Sequence, residues 1–385
     1  MRILHIVTLV TPSGAFGGPI RVAENQCREL QNRGHDVVIA GAYDDYAHPP
    51  TLVGGVPAQL FRARRVVTRT GFSGLSSPAL MRWLRKHVAQ FDVVHIHLGR
   101  DLVTLPATHI VRRSGVPYVA QPHGMIARSS NRLAGPLDFL MTRRNLQSAK
   151  AVYFLTSTER TELAAVAQLR NLRFLPNGVP ATTDQPQSPS GKPEVLFLAR
   201  LHPRKRPDMF VDAAAILLKQ GLEANFVIAG PDEGMLTSLK AEVSGSHLPD
   251  IRFEGPVAPE NVMQRLCRSA IYVLPSVDEP FPMTVLEAMS AATPVIITTS
   301  CGLAEHVRNS RGGIVIEPTT TALVSAIKSL LESPGKAREI GNAARAYVRT
   351  HMSVDAVVTE LEAMYSTANR DNKTSPRKGL RRYLD

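Results

Sequence analysis

Short runs of aliphatic and β-branched residues alternate along the chain with stretches whose apolar positions recur every three or four residues. RILHIVTLV (2–10), HDVVIAGAY (35–43), FDVVHIHL (91–98), VPYVAQPH (116–123) and KAVYFLTS (150–157) read as strands. The stretch 18–34 reads as a helix that stops at Gly34, where a C-cap favours glycine. Alternation of apolar strands with helices predicts a parallel α/β sheet.

The pattern breaks in a segment rich in Pro, Ser and Gly, then restarts at EVLFLAR. Further strands are expected at 194–200, 224–231, 251–256, 270–276, 294–299 and 312–318, with helices at 207–220, 260–269 and 283–292 and a long helical stretch at 321–367. A chain of 385 residues exceeds one ordinary core. The expectation is two doubly wound, Rossmann-like parallel-sheet domains facing across a cleft: 1–178, a linker at 179–193, and 194–351. A helix at 352–369 would return to the first domain, and 370–385 would be a basic tail. Ligands of such domains sit at the carboxyl ends of the strands.

Composition narrows the setting. The apolar fraction is 44%, enough for two cores, and no apolar run reaches the roughly 18–20 residues of a membrane span. The N-terminal run reads better as a first strand than as a secretory signal. Three scattered cysteines, Cys27, Cys267 and Cys301, fit no disulfide framework or metal spacing and suit a reducing cytoplasm. The net charge is +12, and it is one-sided: residues 1–180 hold 22 Lys+Arg against 10 Asp+Glu, while 181–385 hold 23 of each. A basic first domain attracts phosphates, nucleic acid or an anionic membrane leaflet. The stretch 77–91, with Leu80, Trp83, Leu84 and Val88 against Arg82, Arg85 and Lys86, could lie on a membrane or simply pack on the sheet. No nucleic-acid motif is present, and none is expected to bind.

Four places carry candidate chemistry. In LPSVDEPFPMTVLEAMS (274–290), Glu279 follows a strand and Glu287 lies inside the next helix. Carboxylates there can accept hydrogen bonds from sugar or ribose hydroxyls, and the amides at the helix start suit phosphate. The alternative is a capping box, Thr284 at the N-cap and Glu287 three later. In LARLHPRKRPD, Arg200 and Lys205 follow a strand and suit a pyrophosphate, unless they are a solvated basic loop. Gly14, Gly17 and Gly18 lie in the first strand-to-helix turn and would let backbone approach a phosphate, although the spacing is not that of a dinucleotide fingerprint. His123 in AQPHGM ends another strand and could bond a sugar or serve a turn. His95 and His97 read as structural. No metal-hydrolase or serine-hydrolase pattern is present.

Taken in order, ARLHPRK, VIAGPDEG and EPFPMTVLEA, supported by GAFGGP, QPHGM and LPNGV, resemble the retaining glycosyltransferases of family 4, of GT-B architecture. The resemblance is strongest over 194–318 and implies roles by position. Arg200 and Lys205 would hold the diphosphate of a nucleotide-diphosphate sugar, and Glu287 the ribose. Glu279 would contact the donor sugar, beside Gly230 and the backbone at Phe281, Met283 and Thr284. Gly17 and Gly18 would approach the diphosphate, and His123 would touch the transferring sugar. The resemblance further implies transfer with retention, no cofactor and no metal, and a glycan or lipid-linked glycan acceptor, in the cytoplasm or on the inner face of the cell membrane. Pro280 and Pro282 depart from the glycines many relatives carry there, so some amide contacts must differ. Two readings compete: a sugar-nucleotide epimerase of the same architecture, and a non-catalytic protein binding anions or nucleic acid.

Overall fold

The structure is a computed structural model that describes residues 1–12, 17–67, 71–129, 134–180, 182, 191–245 and 248–374. Contacts divide the chain into two units, Met1–Gly178 with Val354–Asp385, and Val179–Ser353.

The first unit contributes β1 (Arg2–Val10), β2 (Asp36–Tyr43), β3 (Leu52–Val53), β4 (Val56–Arg62), β5 (Arg64–Arg65), β6 (Leu75–Ser76), β7 (Val93–His97), β8 (Tyr118–Gln121), β9 (Ala151–Phe154) and β10 (Leu172–Phe174). Eight of these form one sheet in the order β10-β9-β8-β7-β1-β2-β4-β3. It is parallel except at β3, which runs antiparallel to β4. The turn between them uses Gly54 and Gly55, both at positive φ. The sequence reading had no strand there. One face of the sheet buries Ile3, Val7, Val93, Val119 and Tyr153 against Cys27 and Leu30 of the helix Gly17–Asn32 and against Val357, Val358, Leu361 and Tyr365 of the helix Val354–Thr374. Arg33 fastens these two helices through Glu29, Asp355 and Glu362.

The opposite face is covered by helices that include Pro78–His87 and Thr104–Ser114. Leu80, Leu84 and Val88 are buried there and Trp83 packs beside them. This corrects one alternative: the apolar side of 77–91 is used by the protein's own core and is not offered to a bilayer. Arg82, Arg85 and Lys86 point outward, exposed. Among the described residues no helix is long and apolar enough to cross a membrane.

The second unit contributes β11 (Glu194–Leu198), β12 (Asn225–Ala229), β13 (Ile251–Gly255), β14 (Ile271–Leu274), β15 (Val295–Thr298) and β16 (Gly313–Ile316). They form one sheet, β13-β12-β11-β14-β15-β16, all parallel. Its four inner strands, β11, β12, β14 and β15, are buried on both faces, as parallel strands with helices on each side must be. Val179, placed in the linker on sequence, is buried in this second core and donates its N–H to Met352.

Candidate active site

In the second sheet the chain leaves β11 toward β12 on one side and β14 toward β15 on the other. The loops beyond the carboxyl ends of β11 and β14 therefore diverge, and such a switch point is where doubly wound sheets take ligands. Arg200, Lys205 and Glu279 sit on these two loops. Lys205 ends a 3-10 turn, Pro203–Lys205, and its Nζ lies 2.7 Å from Glu279 Oε2. Both side chains are only 11% exposed, so this is an ion pair shielded from water and not a solvated basic loop. Arg204 reaches the same carboxylate oxygen at 3.5 Å. The backbone ties the loops as well, Val277 N–H donating to the Arg204 carbonyl at 3.0 Å.

Arg200 pairs with a residue that sequence reasoning passed over, Glu233, at 2.6 Å and largely in solvent. Gly230 makes that approach possible. Its φ is +138°, and a Cβ there would lie 1.9 Å from the Ala199 carbonyl oxygen, so no other residue fits. Past it, Asp232 accepts from the amides of Gly234, Met235 and Leu236, which holds its carboxyl below the usual range and starts the helix Leu236–Gly245.

The helix Met283–Ser290 begins after Pro282, which has no N–H. Met283 and Thr284 are its first amides, with Phe281 half-buried just before. The capping box does not form. Thr284 lies inside the helix, and its hydroxyl sits 2.8 Å from that of Tyr272. Glu287 is buried. Tyr272, from β14, was missed on sequence because a tyrosine in an apolar strand carries no chemical signal of its own. Burial raises its pKa, and the charges of Glu287 and Glu279 raise it further. The loop after β15 closes the group: Gly302 N–H donates to the Glu279 carbonyl at 2.8 Å, and Asp278 N–H to Ser300 Oγ at 3.2 Å. Cys301 beside it is pushed up to about 12 by burial, so it stays a thiol.

The other candidates belong to the first unit. Gly17 and Gly18 open the helix Gly17–Asn32, with first-turn amides that have no acceptor within the helix. No atom lies within 4 Å of a Cβ added at Gly18. Gly14 falls outside the described residues. His123 follows β8 in a left-handed conformation (φ 54°), and Gly124 continues it (φ 75°). A single buried carboxylate, Glu159, holds this turn by accepting from Gly124 N–H at 2.5 Å and Leu155 N–H at 2.7 Å. His123 Nε2 meets His97 Nδ1 at 2.8 Å, and His97 Nε2 meets His5 Nδ1 at 3.1 Å. Sequence reading had put His97 and His95 aside as structural and had not raised His5.

Residues 180–347 match the glycosyl transferases group 1, and residues 17–178 match the glycosyl transferase 4-like domain. Between them the two matches take in both sheets except β1. The chain belongs to the group 1 glycosyltransferases and has the two α/β domains of the GT-B architecture. It is 26% identical over 377 residues to D-inositol 3-phosphate glycosyltransferase of Nocardia farcinica, covering 88% of this chain and 82% of that one. It is 27% identical over 298 residues to glycogen synthase of Mycobacterium tuberculosis, covering 73% and 70%. Among solved structures it resembles sucrose-phosphate synthase of Thermosynechococcus elongatus (TM-score 0.74, 17% identity, 96% and 100% covered). It also resembles Anabaena HepE in complex with UDP (TM-score 0.74, 17% identity, 95% and 100% covered).

Proposed function

We propose that this protein transfers a sugar from a nucleotide-diphosphate donor to a hydroxyl of a glycan or lipid-linked glycan, with retention at the anomeric carbon. The observation that carries the reading is the shielded pair of Lys205 and Glu279 at the switch point of the second sheet. A diphosphate entering there competes for Lys205 and Arg200, and leaves the Glu279 carboxylate to accept hydroxyls. Two fixed cations and the amides at Met283 and Thr284 then face the charge that grows on the leaving diphosphate. On this reading no metal is required. Glu287, on the buried side of the same helix, takes the ribose, and His123 takes a hydroxyl of the transferring sugar. That HepE has been captured with UDP supports the choice of donor. The basic first unit, with Arg82, Arg85 and Lys86 exposed on one helix, supports work at an anionic membrane surface.

The test is thermal-shift binding of UDP, GDP, ADP and their common sugars without added metal, on the wild type and on Glu287→Ala. A ligand at 100 times its Kd stabilises by about 2.7 kcal/mol. A shift with one nucleotide that Glu287→Ala loses supports the donor site and names the base. No shift with any of them, in folded protein, refutes it. Transfer from that nucleotide's sugars, with the anomeric configuration of the product read by NMR, then tests retention.

A further inference from the structure

The two most exposed large apolar side chains among the described residues are neighbours, Phe139 at 69% and Leu140 at 66%. Leu52, Val66, Phe174 and Ile216 are exposed too, but singly, which is ordinary for a protein surface. Ala134–Leu137, Asp138–Thr142 and Arg143–Ser148 run on as one helix with a π turn in the middle. Ala134, Asp138, Thr142, Asn145 and Leu146 recur at helical spacing and are buried. The outward stripe carries Phe139 and Leu140, then Arg143 and Arg144 one turn further along, all exposed.

The inner side is fixed in place. Arg100, just beyond β7, grips both Asp138 oxygens, at 2.9 and 3.0 Å, and the Ala127 carbonyl at 2.7 Å. Asn145 donates to the Leu105 carbonyl at 3.0 Å. The helix therefore cannot roll to bury Phe139 and Leu140. Arg100 also ties it to the carboxyl end of the first sheet, where His123 follows the neighbouring strand β8.

The surroundings are of one sign. Between 93 and 158 the sequence holds eight Lys and Arg and two carboxylates, Asp101 and Asp138. Both carboxylates are buried, Asp138 against Arg100 and Asp101 accepting from the amides of Val103 and Thr104. Two apolar side chains are small against the roughly 800 Å² a side that a stable protein interface buries, and a second copy would bring the same cations. An anionic bilayer fits both halves of the stripe: acyl chains take the apolar pair and headgroup phosphates take the arginines. A marginal apolar anchor holds when a basic patch adds to it.

We infer that Phe139 and Leu140 insert into an anionic membrane leaflet, with Arg143 and Arg144 on its phosphates, and that this holds the turn of His123 beside the lipid. This rests on the membrane reading above and gives it an inserting element. A lipid-linked glycan is then the acceptor that the first unit meets.

The test is co-sedimentation of the full chain with vesicles of phosphatidylglycerol and phosphatidylcholine in equal parts, and of phosphatidylcholine alone. The wild type should bind the mixed vesicles about tenfold more tightly than the neutral ones. Phe139→Ser with Leu140→Ser alters two exposed side chains, so the fold should hold by circular dichroism while binding to the mixed vesicles weakens about tenfold or more. Arg144→Glu should weaken it roughly tenfold at low salt and less at high salt. Phe139→Cys carrying an environment-sensitive dye reports insertion directly, since the three native cysteines are buried. Its emission should shift to the blue on the mixed vesicles. A wild type that stays in solution overturns the inference, as does a serine double variant that binds as well as the wild type, or a dye that stays in water while the protein sediments. So does a dimeric wild type beside a monomeric serine variant, which would put a second copy on the patch. The serine variant should keep any nucleotide thermal shift found in the panel above. If vesicles bind and no nucleotide does, the proposed transfer falls and the insertion stands; if a nucleotide binds and vesicles do not, the insertion falls alone.

Discussion

The two units put opposite electrostatics at the carboxyl ends of similar sheets. In the second, the loops past β11, β12 and β14 carry full charges in pairs, Lys205 with Glu279 and Arg200 with Glu233. In the first, the loop past β8 carries an imidazole kept neutral and wired to two others. Paired charges can be exchanged for a charged ligand, because an entering diphosphate replaces one partner and frees the other. A neutral wired ring has no ion to exchange and is suited to the hydroxyls of a sugar. The difference teaches that the basic balance of the whole first unit says little about the chemistry of its innermost polar group.

The strongest way to break this comparison is Glu279→Ala. It removes a hydroxyl acceptor and leaves Lys205 without its nearest partner. Transfer should fall by about 10²–10³-fold, the usual cost of losing one preorganised polar group at a reacting centre. Binding of the nucleoside diphosphate, by calorimetry, should hold or tighten, since Lys205 is released. Loss of diphosphate affinity would mean that the pair is only structural. Lys205→Ala should do the reverse. A charge-assisted hydrogen bond contributes about 1.5–3 kcal/mol, so affinity for the diphosphate should drop roughly 10–100-fold. If Lys205→Ala and Glu279→Ala affect binding alike, the assignment of one to phosphate and one to sugar is wrong.

Acid separates the units by another route. An imidazole whose pKa is lowered in the fold binds fewer protons folded than unfolded. Its contribution is complete above the unfolded value of about 6.5 and is lost as pH falls, continuing down to the folded value, about 3 for His5 and His123. Each such ring costs up to about 1.4 kcal/mol per pH unit in that window. His95 and His97 are lowered the same way. In the second unit His306 is the histidine lowered among the described residues, and it is half-buried. Urea unfolding followed by tryptophan fluorescence reports the first unit, since Trp83 is the chain's one tryptophan and lies there. Its midpoint should drop markedly between pH 7.5 and pH 5. An unchanged midpoint would mean the histidines are hydrated and charged.

Much of this was legible in the sequence, for definite reasons. Most strands of both sheets showed because parallel strands are apolar and leave runs such as VLFL and IYVL. The hairpin of β3 and β4 and the short strand β10 did not, because β3 has two residues and β10 three, and β4 is half-exposed and carries Pro57. Lys205 and Glu279 could be nominated from their places after strands, but not as partners, since only the order β11–β14 brings their loops together. Thr284 and Glu287 fitted a capping pattern that the structure does not use. The helix starts at Met283 with Pro282 at its N-cap, so Thr284 falls two residues too far in. The histidine chain was hidden because His5, His97 and His123 are far apart in sequence, and strand register alone sets His5 beside β7.

The subtlest test concerns Glu233, which only the structure pointed to. Its ion pair with Arg200 is largely solvent-exposed, and exposed pairs contribute at most about 1 kcal/mol. Arg200 must leave Glu233 to meet a diphosphate, so that small energy opposes binding. Glu233→Gln keeps the shape and removes the charge. It should tighten nucleoside-diphosphate binding by no more than about fivefold at low salt, and the gain should fade at high salt as screening weakens the original pair. Lys205 is shielded, so the salt dependence carried by its pair with Glu279 should be smaller. A Glu233→Gln variant that binds more weakly would place Glu233 among the groups that hold the nucleotide. The exposed pair would then belong to the binding surface itself, and the contrast between exchangeable charges in the second unit and fixed neutral groups in the first would have to be drawn at Lys205 alone.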